Sequence, residues 1–310
     1  MKIAVIGTNG MLSSAISKHF YDMPGNEIDV FGRSVPRDYK YNRFHQLSLT
    51  EDEIDYSCLV SYDVIIYASG AGTKGASNTD ALLMYEINAF KPIEITQKLK
   101  QLDYKGLYIS FGSYMEIGAN NENDQIFSEK DVVYSSLPIS DDYALSKRLY
   151  GHYIRDFLAN FNLYHFVLPN IFSSEDFKPG TRLIPYMLQY IQNKKNRIAC
   201  DEPKFSAGTQ ARQFIFLDDV MTVLQKAIEN KIPSGIYNVG GGEFYPIRTL
   251  IERVFAFYNE PCKDSFFGQS VRRDGNIKSL HISGDKLYNA IGYLPNCKIE
   301  DVLKKFDVAM

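Results

Sequence analysis

The chain is poor in cysteine, and its four cysteines are scattered: Cys58, Cys200, Cys262 and Cys297. No pair has CxxC spacing and no histidine stands nearby at zinc-ligand spacing, so no metal site is expected. Reduced thiols in a cytoplasmic compartment are the reading that remains. Charge of one sign is also missing. Lys and Arg number 34 against 37 Asp and Glu, a net −3. Such a balance supplies no field for phosphate backbones or anionic membranes, so neither nucleic acid nor membrane is an expected partner. Long apolar runs are absent too. The opening Met1-Lys2-Ile3-Ala4-Val5-Ile6-Gly7 is too short for a signal-peptide core. Nothing approaches the ~18 to 20 apolar residues of a membrane span, and a soluble protein is expected. There is no repeat, low-complexity tract or linker rich in Pro, Gly and Ser. What is present, 310 residues at 45% hydrophobic, suits one large domain or a domain with an appended lobe.

Short apolar runs alternate with amphipathic stretches through the first half. Ile3–Ile6, Ile28–Phe31, Val64–Tyr67, Leu107–Ile109 and His165–Leu168 read as buried strands. Met11–Phe20, Ala81–Leu102 and Asp142–Phe161 read as the helices between them. This alternation predicts an α/β fold, a Rossmann-type doubly wound parallel sheet covered on both faces. After Pro169 the pattern changes. Helices are expected at Ile184–Gln192, Val220–Glu229, Ile247–Tyr258 and Ile299–Phe306, with strands at Phe214–Leu217 and Gly235–Val239. The expected division is a dinucleotide-binding domain of 1–168 plus about 214–240, and a smaller substrate-binding lobe of 169–213 and 241–310.

Gly7-Thr8-Asn9-Gly10-Met11-Leu12-Ser13 follows the first strand and opens the first helix. Glycines there let backbone N–H groups approach a pyrophosphate, and the helix N-terminus adds a favourable dipole. Ser13 stands where a third glycine is usual. NAD sites place a carboxylate at the end of the second strand, whereas arginine accommodates a 2′-phosphate. Here that strand ends in Gly32-Arg33-Ser34, with no carboxylate, which favours NADP(H) and leaves NAD(H) as the alternative.

In Tyr143-Ala144-Leu145-Ser146-Lys147 the phenol and the ammonium are four residues apart and share a helical face. A free tyrosine has a pKa of about 10, and a neighbouring cation is expected to lower it toward useful acid–base range. Ser113, beyond the strand at Leu107–Ile109, is the expected hydroxyl donor to a substrate oxygen. Tyr-x-x-x-Lys alone is common by chance. The order of glycine turn, strand, Ser113, then Tyr143 and Lys147 gives it weight.

Further segments join these: Tyr67-Ala68-Ser69-Gly70, Asn88, Leu168-Pro169-Asn170-Ile171-Phe172, Arg212-Gln213-Phe214-Ile215-Phe216-Leu217-Asp218-Asp219-Val220, Tyr237-Asn238-Val239-Gly240 and Arg272-Arg273-Asp274-Gly275. With them the chain resembles the extended short-chain dehydrogenases/reductases, the branch of nucleotide-sugar epimerases, dehydratases and reductases, over nearly its whole length. The resemblance implies catalysis by Ser113, Tyr143 and Lys147. It implies a cofactor held by Gly7, Asn9, Gly10, Met11, Leu12, Arg33, Ser34, Gln46, Leu47, Ala68, Ser69, Gly70, Asn88, Tyr143, Lys147 and Pro169. A nucleotide sugar would meet Ser113, Tyr114, Asn170, Arg212 and Arg273, the two arginines taking its diphosphate. A homodimer through the helices of Ala81–Leu102 and Asp142–Phe161 is implied as well. Two departures matter. His45-Gln46-Leu47-Ser48 replaces the family's adenine-contacting aspartate, and Tyr114-Met115 replaces the Asp-Glu pair of the dehydratases, which argues against 4,6-dehydration. The expectation is an NADPH-dependent reductase of a 4-keto-6-deoxy sugar nucleotide, with a 4-epimerase as runner-up. A non-catalytic NADP sensor is the third reading, disfavoured by the intact Ser113, Tyr143 and Lys147.

Overall fold

A computed structural model describes residues 1–72, 80–173, 183–272 and 277–307. Eleven strands occur among them: β1 (Lys2–Ile6), β2 (Glu27–Gly32), β3 (Arg43–Gln46), β4 (Val64–Tyr67), β5 (Leu107–Ser113), β6 (Leu163–Leu168), β7 (Asn170–Phe172), β8 (Ala211–Phe216), β9 (Gly235–Asn238), β10 (Glu243–Pro246) and β11 (Ser279–Leu280). Seven form one parallel sheet in the order β3-β2-β1-β4-β5-β6-β9. The order reverses direction at β1, the point where open α/β sheets bind ligands at their carboxyl edge. β1, β4 and β5 are almost wholly buried, as runs such as Ile3-Ala4-Val5-Ile6 require of strands covered on both faces.

The Met11–Tyr21, Leu217–Glu229 and Asp285–Ile291 helices cover one face around Ile16, Phe20, Val220, Leu224 and Leu287. The Lys91–Gln101 and Asp142–Phe157 helices cover the other around Ile95, Leu99, Tyr150 and Ile154. A second, smaller sheet holds β10-β8-β11 with β7 alongside β8. Its own core gathers Phe172, Phe214, Phe216, Leu250, Phe255 and Phe266. Among the described residues no helix is long and apolar enough to cross a membrane.

Three elements differ from the sequence reading. β5 extends from Leu107 through Ser113, so Ser113 closes a strand instead of sitting in a loop beyond it. β8 lies wholly in the second sheet, so a boundary at 214 divides a strand; the chain returns to the main sheet through the Leu217–Glu229 helix. The stretch expected as one helix from Ala81 to Leu102 is an α-turn at Ala81–Tyr85, a π-turn at Glu86–Phe90 and an α-helix at Lys91–Gln101. Pro92 accounts for this: it has no N–H for the carbonyl of Asn88, and the widened turn, with Lys91 N–H on Glu86 O, absorbs the lost bond.

Candidate active site

The glycine turn is built by close approach. Gly7 has φ +127°, and a Cβ there would lie 3.2 Å from the backbone of Ala68 and Ser69, so β1 and β4 end against each other. Gly10 caps the Met11–Tyr21 helix. The buried Ser13 hydroxyl accepts the Gly10 N–H and donates to the Gly10 carbonyl, both at 3.1 Å. A serine in the third-glycine position thus braces the turn. Met11 and Leu12 follow, half-buried, and the Ser173 hydroxyl donates to Met11 Sδ at 3.3 Å.

At the end of β2, Gly32 faces Thr8. A Cβ at Gly32 would come within 2.5 Å of Thr8 Cγ2 and 2.6 Å of its Oγ1, so the space a carboxylate residue would need is filled. Arg33 and Ser34 are exposed beyond it. Asn9 Nδ2 donates to Ser34 Oγ at 2.9 Å, tying this segment to the glycine turn. Gln46 is the exposed end of β3, and the buried Leu47 donates its N–H to Gly32 O at 3.0 Å.

Beyond β4, Ala68, Ser69 and Gly70 line the edge, and Asn88 fixes what comes next. Asn88 Oδ1 accepts the Ala71 N–H, while Nδ2 donates to Ala71 O and Ser146 Oγ, all at 3.0 Å. Asn88 sits in the π-turn, which joins the β4 edge to the helix bearing Tyr143 and Lys147.

That helix starts at Asp141, whose carboxylate accepts the Ala144 N–H at 2.8 Å. Tyr143 and Lys147 share its inward face. The Ser113 side chain lies close enough to the Tyr143 phenol to pull its pKa down. Lys147, 9% exposed, donates from Nζ to Phe111 O on β5 at 3.0 Å. The three residues therefore meet at the carboxyl end of β5, as their order along the chain implies.

The electrostatics run against one expectation. The Tyr143 phenol is not lowered by Lys147 but pushed up to about 12, chiefly by burial; Ser113 pulls the other way, and the charges of Glu116 and Asp141 add to the rise. It is a neutral proton donor at pH 7. Lys147 is pushed down by burial, which Glu116 opposes. Glu116 in turn is pushed up by burial, against the pull of the Ser113 N–H and of the Lys147 and Arg148 cations.

Glu116 escaped the sequence reading. It is 1% exposed, and its Oε1 accepts the Ser113 N–H at 2.7 Å. The available signal was the spacing Ser113-x-x-Glu116, a capping box on the short turn Tyr114–Ile117. Behind it, buried His165 meets Ser110 Oγ through Nδ1 at 2.9 Å. Its pKa is pulled down to about 3 by burial and by Lys147.

The expected substrate residues are less gathered. Pro169 is buried after β6, and Asn170, half-buried, opens β7 at the same sheet edge. Tyr114 is 1% exposed and packs with Ile117, Phe127, Val132 and Ile282, a core position. Arg212 is buried in β8 and donates to Ala211 O at 2.7 Å and to Ile277 O at 3.1 Å. Arg273 lies outside the described residues.

The profile of the NAD dependent epimerase/dehydratase family matches residues 3–240, well over half of the chain. The chain belongs to that family. One relative within reach is CDP-abequose synthase of Salmonella typhimurium, 28% identical over 196 residues, covering 59% of this chain and 60% of that protein. The matched region is thus under two thirds of the synthase's length. UDP-glucose 4-epimerase of Halalkalibacterium halodurans is 24% identical over 246 residues, 76% of this chain and 72% of that one. Among solved structures, UDP-glucose 4-epimerase of Thermotoga maritima, with UDP-glucose, aligns at TM-score 0.79 and 15% identity, covering 98% of this chain and 96% of that chain. Bordetella bronchiseptica WbmG, in complex with NAD, aligns at TM-score 0.73 and 16% identity over 99% and 94% of the two chains. At such identities the structures speak to the fold alone, a Rossmann-like parallel sheet. As a family member, this epimerase/dehydratase-type chain is an NAD(P)-dependent enzyme.

Proposed function

We propose that this family member is an NADPH-dependent ketoreductase of a nucleotide-linked 4-keto-6-deoxy sugar. The observation that carries it is the end of β2, where Thr8 fills the space of the ribose-binding carboxylate and exposed Arg33 follows. Such an edge suits a 2′-phosphate, and the braced turn of Gly7, Gly10 and Ser13 suits the pyrophosphate. When bound, NADPH supplies the hydride for the keto carbon. Tyr143, kept protonated by burial, gives its proton to the developing alkoxide. Ser113 donates a hydrogen bond to the same oxygen, and Lys147, tied by its ammonium to Phe111 O of β5, orients the site from the helix. Arg212 and Arg273 would hold the diphosphate. A CDP-abequose synthase among the relatives supports a nucleotide-linked sugar as the substrate.

The second reading, a 4-epimerase with tightly held NAD(P), is favoured by the greater coverage of the epimerase relative. Stoichiometric loss of NADPH absorbance on adding a 4-keto-6-deoxy sugar nucleotide is the expected outcome. Interconversion of 4-epimers with no net NADPH use would select the epimerase, and cofactor binding with no turnover the sensor.

The protein acts as a homodimer in this reading. Leu145, Leu149, Tyr153 and Phe157 recur every fourth residue along the outward face of the catalytic helix, and Leu82 and Phe90 are exposed on its neighbour. Leu149→Glu is expected to halve the mass seen by sedimentation at micromolar concentration; an unchanged mass would remove this face from the interface.

A further inference from the structure

We propose that Glu116 is a positioning residue for the active site, a buried counter-charge that keeps Lys147 an ammonium and holds Ser113 at the strand end. The inference rests on the roles given above to Lys147 and Ser113.

A capping-box glutamate on an exposed turn would lie in water. This one is enclosed in a hollow made by two glycines. A Cβ at Gly112 would stand 2.5 Å from Glu116 Oε1, and a Cβ at Gly151 would stand 2.8 Å from Oε2. Gly151 is the next position, after Tyr143 and Lys147, on the same face of the helix. The carboxyl group thus occupies the place of a missing side chain on the catalytic face. His165 Nε2 faces the Gly112 hollow as well, 2.6 Å from the same Cβ position, and has no hydrogen-bond partner among the described residues.

The charges of Lys147 and Arg148 on the helix act on the carboxylate, whose own charge acts on Tyr143. His165 from β6 shares the Gly112 hollow, and the Ser113 N–H from β5 donates to the carboxylate. His165 is neutral near pH 7, so the compensating cations come from the helix. Arg148 is committed to main-chain carbonyls, donating to Glu116 O and Ile117 O at 2.6 Å and to Leu137 O at 2.9 Å. Lys147 is the partner whose protonation Glu116 can govern. An uncompensated ammonium in this buried site would shed its proton at lower pH.

The test is a 13C NMR titration of protein labelled at lysine Cε, without substrate or cofactor, Lys147 being assigned by its absence in Lys147→Arg. Glu116→Gln keeps the shape and an acceptor for the Ser113 N–H. It is expected to lower the Lys147 midpoint by a pH unit or more, a tenfold loss of proton affinity, and to move the alkaline limb of kcat with it. Glu116→Asp keeps the charge and stays near the wild type. An unchanged Lys147 midpoint in Glu116→Gln would reduce Glu116 to a helix cap. Should that variant not fold, linked inflections of Glu116 Cδ and Lys147 Cε in the wild type support the proposal, and independent ones overturn it. The NMR readout needs no turnover, so it stands even if the ketoreductase reading fails.

Discussion

The two ends of the cleft are made of different materials. At the ends of β1, β2 and β4 the cradle is main chain: Gly7 against Ala68 and Ser69, Gly10 braced by Ser13, Gly32 against Thr8. Beside β5 and β6 the site is a set of ionisable groups, the buried Glu116, Lys147 and His165 with the half-buried Tyr143, drawn from three separate elements. In the proposed function the first end works by shape, since a dinucleotide phosphate needs donors at contact distance. The second works by field, since desolvation decides which groups hold protons. A change at the cradle should therefore alter affinity or stability, and a change at the charged end should alter the chemical step.

Three substitutions sharpen that contrast. Tyr143→Phe removes the proton donor and keeps the ring; kcat is expected to fall by about 10²–10⁴-fold, with cofactor affinity by fluorescence titration nearly unchanged. Survival of full turnover would end the assignment of the acid. Arg33→Ala should raise the KM for NADPH by about tenfold, a loss of ~1.4 kcal/mol, and leave that for NADH where it was. An equal change for both would place Arg33 away from the 2′-phosphate. Ser13→Ala deletes both hydrogen bonds to Gly10. The expected cost is about 1 kcal/mol in urea unfolding, with little effect on kcat; a large drop in kcat would break the division between shape and field.

The same division explains what could be read without coordinates. The cradle is contiguous, and Gly7, Asn9 and Gly10 show themselves by spacing alone, as do Tyr143 and Lys147 on one helical face. Ser113 was legible by its place after a strand, although the strand proved to run through it. The field was not legible. Ser113-x-x-Glu116 spells a helix cap, and spacing does not report that Gly112 and Gly151, distant along the chain, enclose the carboxylate. For the same reason the direction of the Tyr143 shift is hidden: Lys147 is visible in the sequence, whereas the burial that raises the phenol is not. β8 went to the wrong side of a boundary because Phe214-Ile215-Phe216 is as apolar as a main-sheet strand, and only pairing with β7, β10 and β11 reveals its sheet.

The π-turn at Glu86–Phe90 has one more consequence. A π-turn carries one residue more than regular winding needs, and each residue advances a helix by about 100°. Deleting that residue would restore regular winding with the flanking turns still in phase, but it would turn the positions inside the bulge itself to other directions. Asn88 would then lose its simultaneous hold on Ala71 and Ser146. The extra residue thus aims Asn88 at two elements at once, and length in this segment matters more than the identity of most side chains along it.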